Sequence, residues 1–123
     1  MNLRFLLLAS LFVIGCSPSA PPVVEVADGR AVVEAALTAW RNAEAVQTLR
    51  DAKNSTFVAE PRWEAGWKLD GFEIVDQSID GYQARCKVQL SLTDPNGKPI
   101  KESAEYLATS SPKRTVTRVS EGW

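Results

Sequence analysis

Any chemistry in this 123-residue chain has to be done without histidine, because the sequence contains none. The commonest general base and the commonest metal ligand are therefore missing together. What remains is carboxylates, two thiols and four tryptophans. Asp70, Asp76 and Asp80 cluster in one short stretch, and paired acids of this kind can act as acid and base or hold Ca²⁺ with backbone oxygens. Asp70-Gly71 and Asp80-Gly81 are also turn dipeptides, however, and that role accounts for both acids. Glu60 and Glu64 lie four apart with Arg62 between them and no third ligand, so they read as a solvated turn. Asp94-Pro95-Asn96-Gly97 lacks the further acidic positions of a calcium loop and reads as a hairpin turn. Ser110-Ser111 has no histidine to activate it, and a Ser–Lys arrangement with Lys113 has nothing further in its favour. No phosphate-binding glycine loop, Cys-x-x-Cys or zinc spacing occurs. The expectation is a non-enzyme with no catalytic residue, no metal site and no cofactor.

The tryptophans are the other candidates. Trp40 falls on an apolar helical stripe with Val33, Ala36 and Leu37, at the spacing i, i+3, i+4, i+7, and reads as core. Trp63 and Trp67 sit four apart around a turn, where they could line a ligand-binding cleft or simply fill a small core. Trp123 is open to either role.

The cysteines differ in setting. Met1–Arg4 carries a single positive charge, and residues 5–14 are uncharged and strongly apolar. As helix those residues span roughly 15 Å, half of the ~30 Å hydrocarbon core, which suits a processed signal and not a permanent span. Val13-Ile14-Gly15-Cys16 then resembles the lipobox of bacterial lipoproteins. That resemblance implies lipidation of Cys16 on its thiol, cleavage just before it, and attachment to the membrane through the acyl chains. Ser17, where an inner-membrane retention signal has Asp, leans toward the outer membrane facing the periplasm, ahead of the inner one. Residues 1–15 are then the signal peptide, and 16–27 are the lipidated cysteine and a tether. In the tether, Ser17-Pro18-Ser19-Ala20-Pro21-Pro22 favours extended geometry and spaces the domain off the lipid surface. Cys86 is left without an intrachain partner. In the apolar register of a strand it reads as a small buried hydrophobe, with an intermolecular disulfide or a reactive thiol as the alternatives.

With 45% apolar and 24% charged residues and a net charge of −1, the chain is an ordinary globular sequence and offers no basic footprint for nucleic acid. Residues 28–123 make one small domain. Asp28 is the expected N-cap of the helix that carries Trp40, after a lead-in or edge strand at Val23–Ala27. Asn42 breaks that helix, and Val46 and Leu49 continue a helical pattern to about Lys53. Phe57-Val58-Ala59 suits a short strand, and Pro61 and Gly66 bracket a helical turn. Four strands follow: Trp67–Gln77, Tyr82–Thr93, Ile100–Thr109 and Arg114–Ser120. In the second, Ala84, Cys86, Val88, Leu90 and Leu92 point to one face.

The fold class predicted is α+β, an N-terminal helix, possibly two, packed on a four-stranded antiparallel meander sheet. The order of elements resembles the cystatin-like and NTF2-like group of folds over about residues 28–121. Three stretches resemble small uncharacterised exported proteins of planctomycete bacteria: Ala39-Trp40-Arg41-Asn42, the run from Phe57 to Leu69, and Leu92–Lys98. That likeness implies an exported protein and no particular chemistry. The functional expectation is a lipid-anchored, non-catalytic interaction or structural domain of the cell envelope, whose partner is an unidentified envelope protein. The alternative is a small-ligand or peptide binding module, recognised by a pocket lined by Trp63, Trp67 and inward residues such as Leu90.

Overall fold

The computed structural model describes residues 25–119. The signal segment, Cys16, the Pro/Ser tether and Trp123 lie outside those residues. Helix α1 (Val26–Arg41) starts two residues before its expected N-cap, because Glu25 takes that position with an extended backbone and no side-chain cap. Asp28 instead occupies the first turn, where a carboxylate still faces the unpaired N–H groups of the helix start. Val26 and Ala27, assigned above to the lead-in, are therefore helical. The helix stops at Asn42 as expected. The Glu44 N–H bonds the Ala39 carbonyl at 3.0 Å and the Ala43 N–H that of Trp40 at 2.9 Å. This is a Schellman cap. Its left-handed position holds Ala43, at φ 64°, where glycine is usual.

Helix α2 (Val46–Asp51), strand β1 (Thr56–Ala59) and helix α3 (Pro61–Glu64) follow. Pro61 opens α3, the Arg62 N–H bonds the Glu60 carboxylate at 2.9 Å, and the Glu60 N–H bonds the Glu64 carboxylate at 3.2 Å. Strands β2 (Lys68–Asp80), β3 (Gln83–Thr93), β4 (Pro99–Thr109) and β5 (Arg114–Arg118) complete the chain. β2 slips register at Leu69/Gly71, as Asp70-Gly71 suggests, and again at Ile74/Asp76. Gly81, at φ 66°, leads the two-residue turn between β2 and β3. Asp94 organises the next turn by accepting from the N–H groups of Asn96 and Lys98, each at 2.9 Å.

The sheet corrects one expectation. It has five strands, not four, in the order β1-β5-β4-β3-β2, and it is mixed, because β1 runs parallel to β5. Four residues with no hairpin partner nearby give a strand that finds its neighbour only at the far end of the chain. The α+β class stands.

The inner face of the sheet packs against α1. Ala84, Cys86, Val88, Leu90 and Leu92 of β3 are buried there with Val33, Ala36, Leu37 and Trp40. Cys86 is a free thiol, fully buried, and that burial pushes its pKa up. Helix and sheet approach closely at Gly29, where a β-carbon would lie 2.2 Å from that of Ala84. One row across the inner face reads Gln77, Cys86, Tyr106, Arg118 in successive strands. Ala59 is paired with Thr117, so Glu60, one residue on, extends the same row to the β1 edge.

Candidate functional site: a tryptophan-walled groove beside a buried ion-pair network

Two indoles are pinned where α1, α3 and β2 converge. The Trp40 ring N–H donates to the Trp67 carbonyl at 2.8 Å, and the Trp63 ring N–H donates to the Glu44 carbonyl at 3.0 Å. The two rings stack at 5.6 Å between centroids and 7° between planes. The stack joins the C-terminal end of α1 to the turn that carries Trp63. Trp40 is core, as its helical register predicts. Trp67 is half-buried, and the Arg62 guanidinium sits 4.2 Å over its ring.

These residues wall a groove of about 480 Å³ between the end of α1, the α1–α2 turn and the start of β2. Trp63 and Trp67 both line it, together with Glu44, Val46, Lys68 and Leu69. Leu90 does not. It is 1% exposed inside the packed core, so the space between helix and sheet is filled by side chains at that point. The groove thus lies at the rim of the fold and not inside its concave face.

The three aspartates that cluster in sequence do not converge in space. Asp70 accepts a hydrogen bond from the Thr93 hydroxyl at 2.6 Å, Asp76 accepts from the Gln77 N–H at 2.8 Å, and Asp80 pairs with Arg85 at 2.6 Å. Among the described residues, no group of three or more acidic or sulfur side chains is placed to hold a metal ion.

Glu60 overturns a second expectation. It is 1% exposed, not solvated. Its carboxylate takes the Arg118 Nε at 3.0 and 2.9 Å and also accepts the Tyr106 hydroxyl. Arg118 reaches on to Glu102 at 2.9 Å, and Glu102 holds Arg62 through two contacts of 3.2 and 3.1 Å. The chain of contacts thus runs Tyr106–Glu60–Arg118–Glu102–Arg62 and ends on the face of Trp67. Two carboxylates and two guanidiniums balance, and each acidic group has more than one donor, which is what a buried ion pair needs to offset its desolvation. For Glu102, burial opposes the charge, but the hydrogen bonds from Arg62 and Arg118 prevail and hold its carboxyl below the usual range. Burial first, and then the Glu60 charge, raise the Tyr106 hydroxyl well above an ordinary phenol. Burial works against the Arg118 charge, yet Tyr106 and Glu60 outweigh it and keep the guanidinium firmly protonated. The Glu60 carboxylate is thus fully engaged, by Arg118, by the Arg62 N–H and by the Tyr106 hydroxyl.

The chain, compared with protein-family models and with curated proteins, matches none.

Glu60 and Arg118 were not visible as a pair in the sequence, because 58 positions separate them and the strands that bring them together are parallel. The available signal was the register itself. An arginine at the inward position of β5 requires a buried acid opposite, and Glu60 is the acid at the end of β1.

Proposed function

We propose that the chain is a lipid-anchored protein of the bacterial envelope whose domain acts by non-catalytic interaction, with the groove as its recognition surface. The observation that carries the surface is the groove itself. Its walls include Trp40 and Trp63, fixed by hydrogen bonds to backbone carbonyls and stacked on each other, and Trp67, covered by Arg62, so the site is preorganised and little ordering entropy is spent on binding. The buried ion pairs hold one another and offer no unpartnered acid or base, which favours recognition over reaction. The anchor rests on Val13-Ile14-Gly15-Cys16. No described helix is long and apolar enough to cross a membrane. A second reading, a small-ligand or peptide site of the cystatin-like or NTF2-like kind, is supported by the groove volume, which falls in the ~300–1,000 Å³ range of small-molecule sites.

Two measurements on cells test this reading. Mass spectrometry of the mature N-terminus should find acylated Cys16, and Cys16→Ala should release the protein from the membrane fraction. A photo-crosslinking residue at Lys68, in the groove, should trap one discrete partner, and Trp67→Ala should abolish that adduct. An unmodified Cys16 removes the anchor. A Lys68 probe that traps nothing, or an adduct indifferent to Trp67, removes the recognition surface.

A further inference from the structure

We infer that the tip of the β2–β3 hairpin rests on the lipid bilayer, with Tyr82 and Ile79 dipping into the headgroup region, and that the groove consequently faces away from the membrane. This rests on the lipid-anchor reading proposed above. Tyr82 is 72% exposed and Ile79 45%, two large apolar side chains left to solvent at the hairpin, and Phe57, 57% exposed, stands at the β1 edge of the same end of the sheet. A hairpin tip that needs only a turn has no folding reason to carry them outward, since Gly81 alone supplies the positive φ.

The start of α1 lies beside that tip. Gly29 packs against Ala84, and Ala84 pairs with Ile79 and stands two residues, about 7 Å of strand, from Tyr82. Arg30 also reaches Gln77 of β2 at 3.1 Å. Nine residue steps separate Cys16 from Glu25, so an anchored Cys16 keeps the α1 start within at most about 32 Å of its acyl chains. The anchored end of the domain and its exposed apolar tip therefore coincide.

Charge does not oppose the contact at the tip. The Asp80 carboxylate is paired at 2.6 Å with Arg85, which also holds Glu105 at 2.6 Å. Lys113 is exposed in the β4–β5 turn at the same end, as the pairing of Ala84 with Ala108 shows. Glu25 and Asp28 in the α1 start keep this end from being basic. The attraction is thus apolar insertion of a tyrosine with a polar hydroxyl at the interface, and not a basic patch on anionic lipid. The groove is built at the C-terminal end of α1, a 16-residue helix some 24 Å long, and so stands at the distal side of the domain.

The test uses the full-length lipoprotein reconstituted in zwitterionic phosphatidylcholine vesicles. An environment-sensitive fluorophore is placed at residue 82 by Tyr82→Cys and, separately, at the opposite end of the sheet by Asn96→Cys; the buried Cys86 stays unlabelled. Flotation and the mass of the mature N-terminus are read on the same samples. Quenching by brominated lipid should be about threefold stronger at residue 82 than at 96, as for a side chain 5–10 Å into the interface. Ile79→Ser should reduce the quenching at 82. A protein that floats, with acylated Cys16, but shows equal and weak quenching at both positions would be standing off on its tether, which overturns this inference and leaves the anchor intact. Shielding of residue 82 that persists in dilute detergent, with a doubled molecular mass, would assign the tip to a second copy and also overturns it. A protein that neither floats nor carries acyl groups removes the anchor and this inference with it.

Discussion

At the scale of single residues, the crossing of α1 over β3 at Gly29 is exacting. Gly29 sits on α1 where it crosses β3, and its missing side chain is what lets the helix lie down on the strand. A methyl there would meet the Ala84 β-carbon at 2.2 Å, with backbone behind it that cannot yield. Gly29→Ala is therefore expected to destabilise the domain by about 1–3 kcal/mol in urea unfolding, despite the better helix propensity of alanine. Ala84→Gly in the same chain should restore part of that loss, because it empties the space the new methyl needs. Independent, additive effects of the two changes would show that the contact does not set the helix height. Composition alone gives no hint of this, since Asp28-Gly29 in the sequence reads as a helix start. By contrast, the alternation Ala84, Cys86, Val88, Leu90, Leu92 was legible, because a strand with one buried face writes its register into the chain.

At the scale of elements, β1 and α3 are held by charge as well as by the buried Val58 and Trp63. The four residues of β1 pair on one side only, and α3 is a single turn. What ties them to the sheet by charge is the row that ends in Arg118 and Glu60, joined by Tyr106 from β4. Removing one member strands the other in the interior. Glu60→Leu or Arg118→Met alone should each cost on the order of 3–5 kcal/mol, whereas the double change should cost distinctly less than the sum. Denaturant unfolding of the two single variants and the double variant measures this. Single losses below about 1 kcal/mol would mean the pair is ornamental. This is also where sequence reading reached its limit. The elements from β2 onward are joined by short turns with clear signals, so their order and pairing could be read directly. The short strand at Phe57-Val58-Ala59 was legible, but its place beside β5 and the burial of Glu60 depend on a parallel contact between distant segments, and no local pattern encodes that. Trp63 and Trp67 were found because their spacing is local, while the stack that pins Trp63 on Trp40 needed the fold.

At the scale of the whole molecule, the ion-pair network makes stability depend on acid. Glu102 is held below the usual carboxylate range when folded, so the stability it adds is present above its unfolded pKa of about 4.3 and is lost as pH falls through the lower, folded value. Thermal unfolding followed by circular dichroism should be nearly flat from neutral pH to about pH 5 and then weaken in more acidic buffer. Glu102→Gln should be less stable at neutral pH and should soften that acid decline. An unchanged acid limb in the variant would place the titration elsewhere. The parallel pairing of β1 with β5 carries a consequence in time as well. A chain that emerges N-terminus first, from a ribosome or a translocation channel, delivers β1 long before Arg114–Arg118 exists to receive it. The hairpins of β2, β3 and β4 can zip in order as they appear, but Thr56 must wait for Arg114, and Glu60 waits with it as a charge without its partner. Closing so long a loop comes late and slowly. The last strand synthesised is thus the one that completes the sheet, sets α3 in place and fixes one wall of the groove, so loss of a few residues from β5 would leave a chain that had folded its middle and could never finish its beginning.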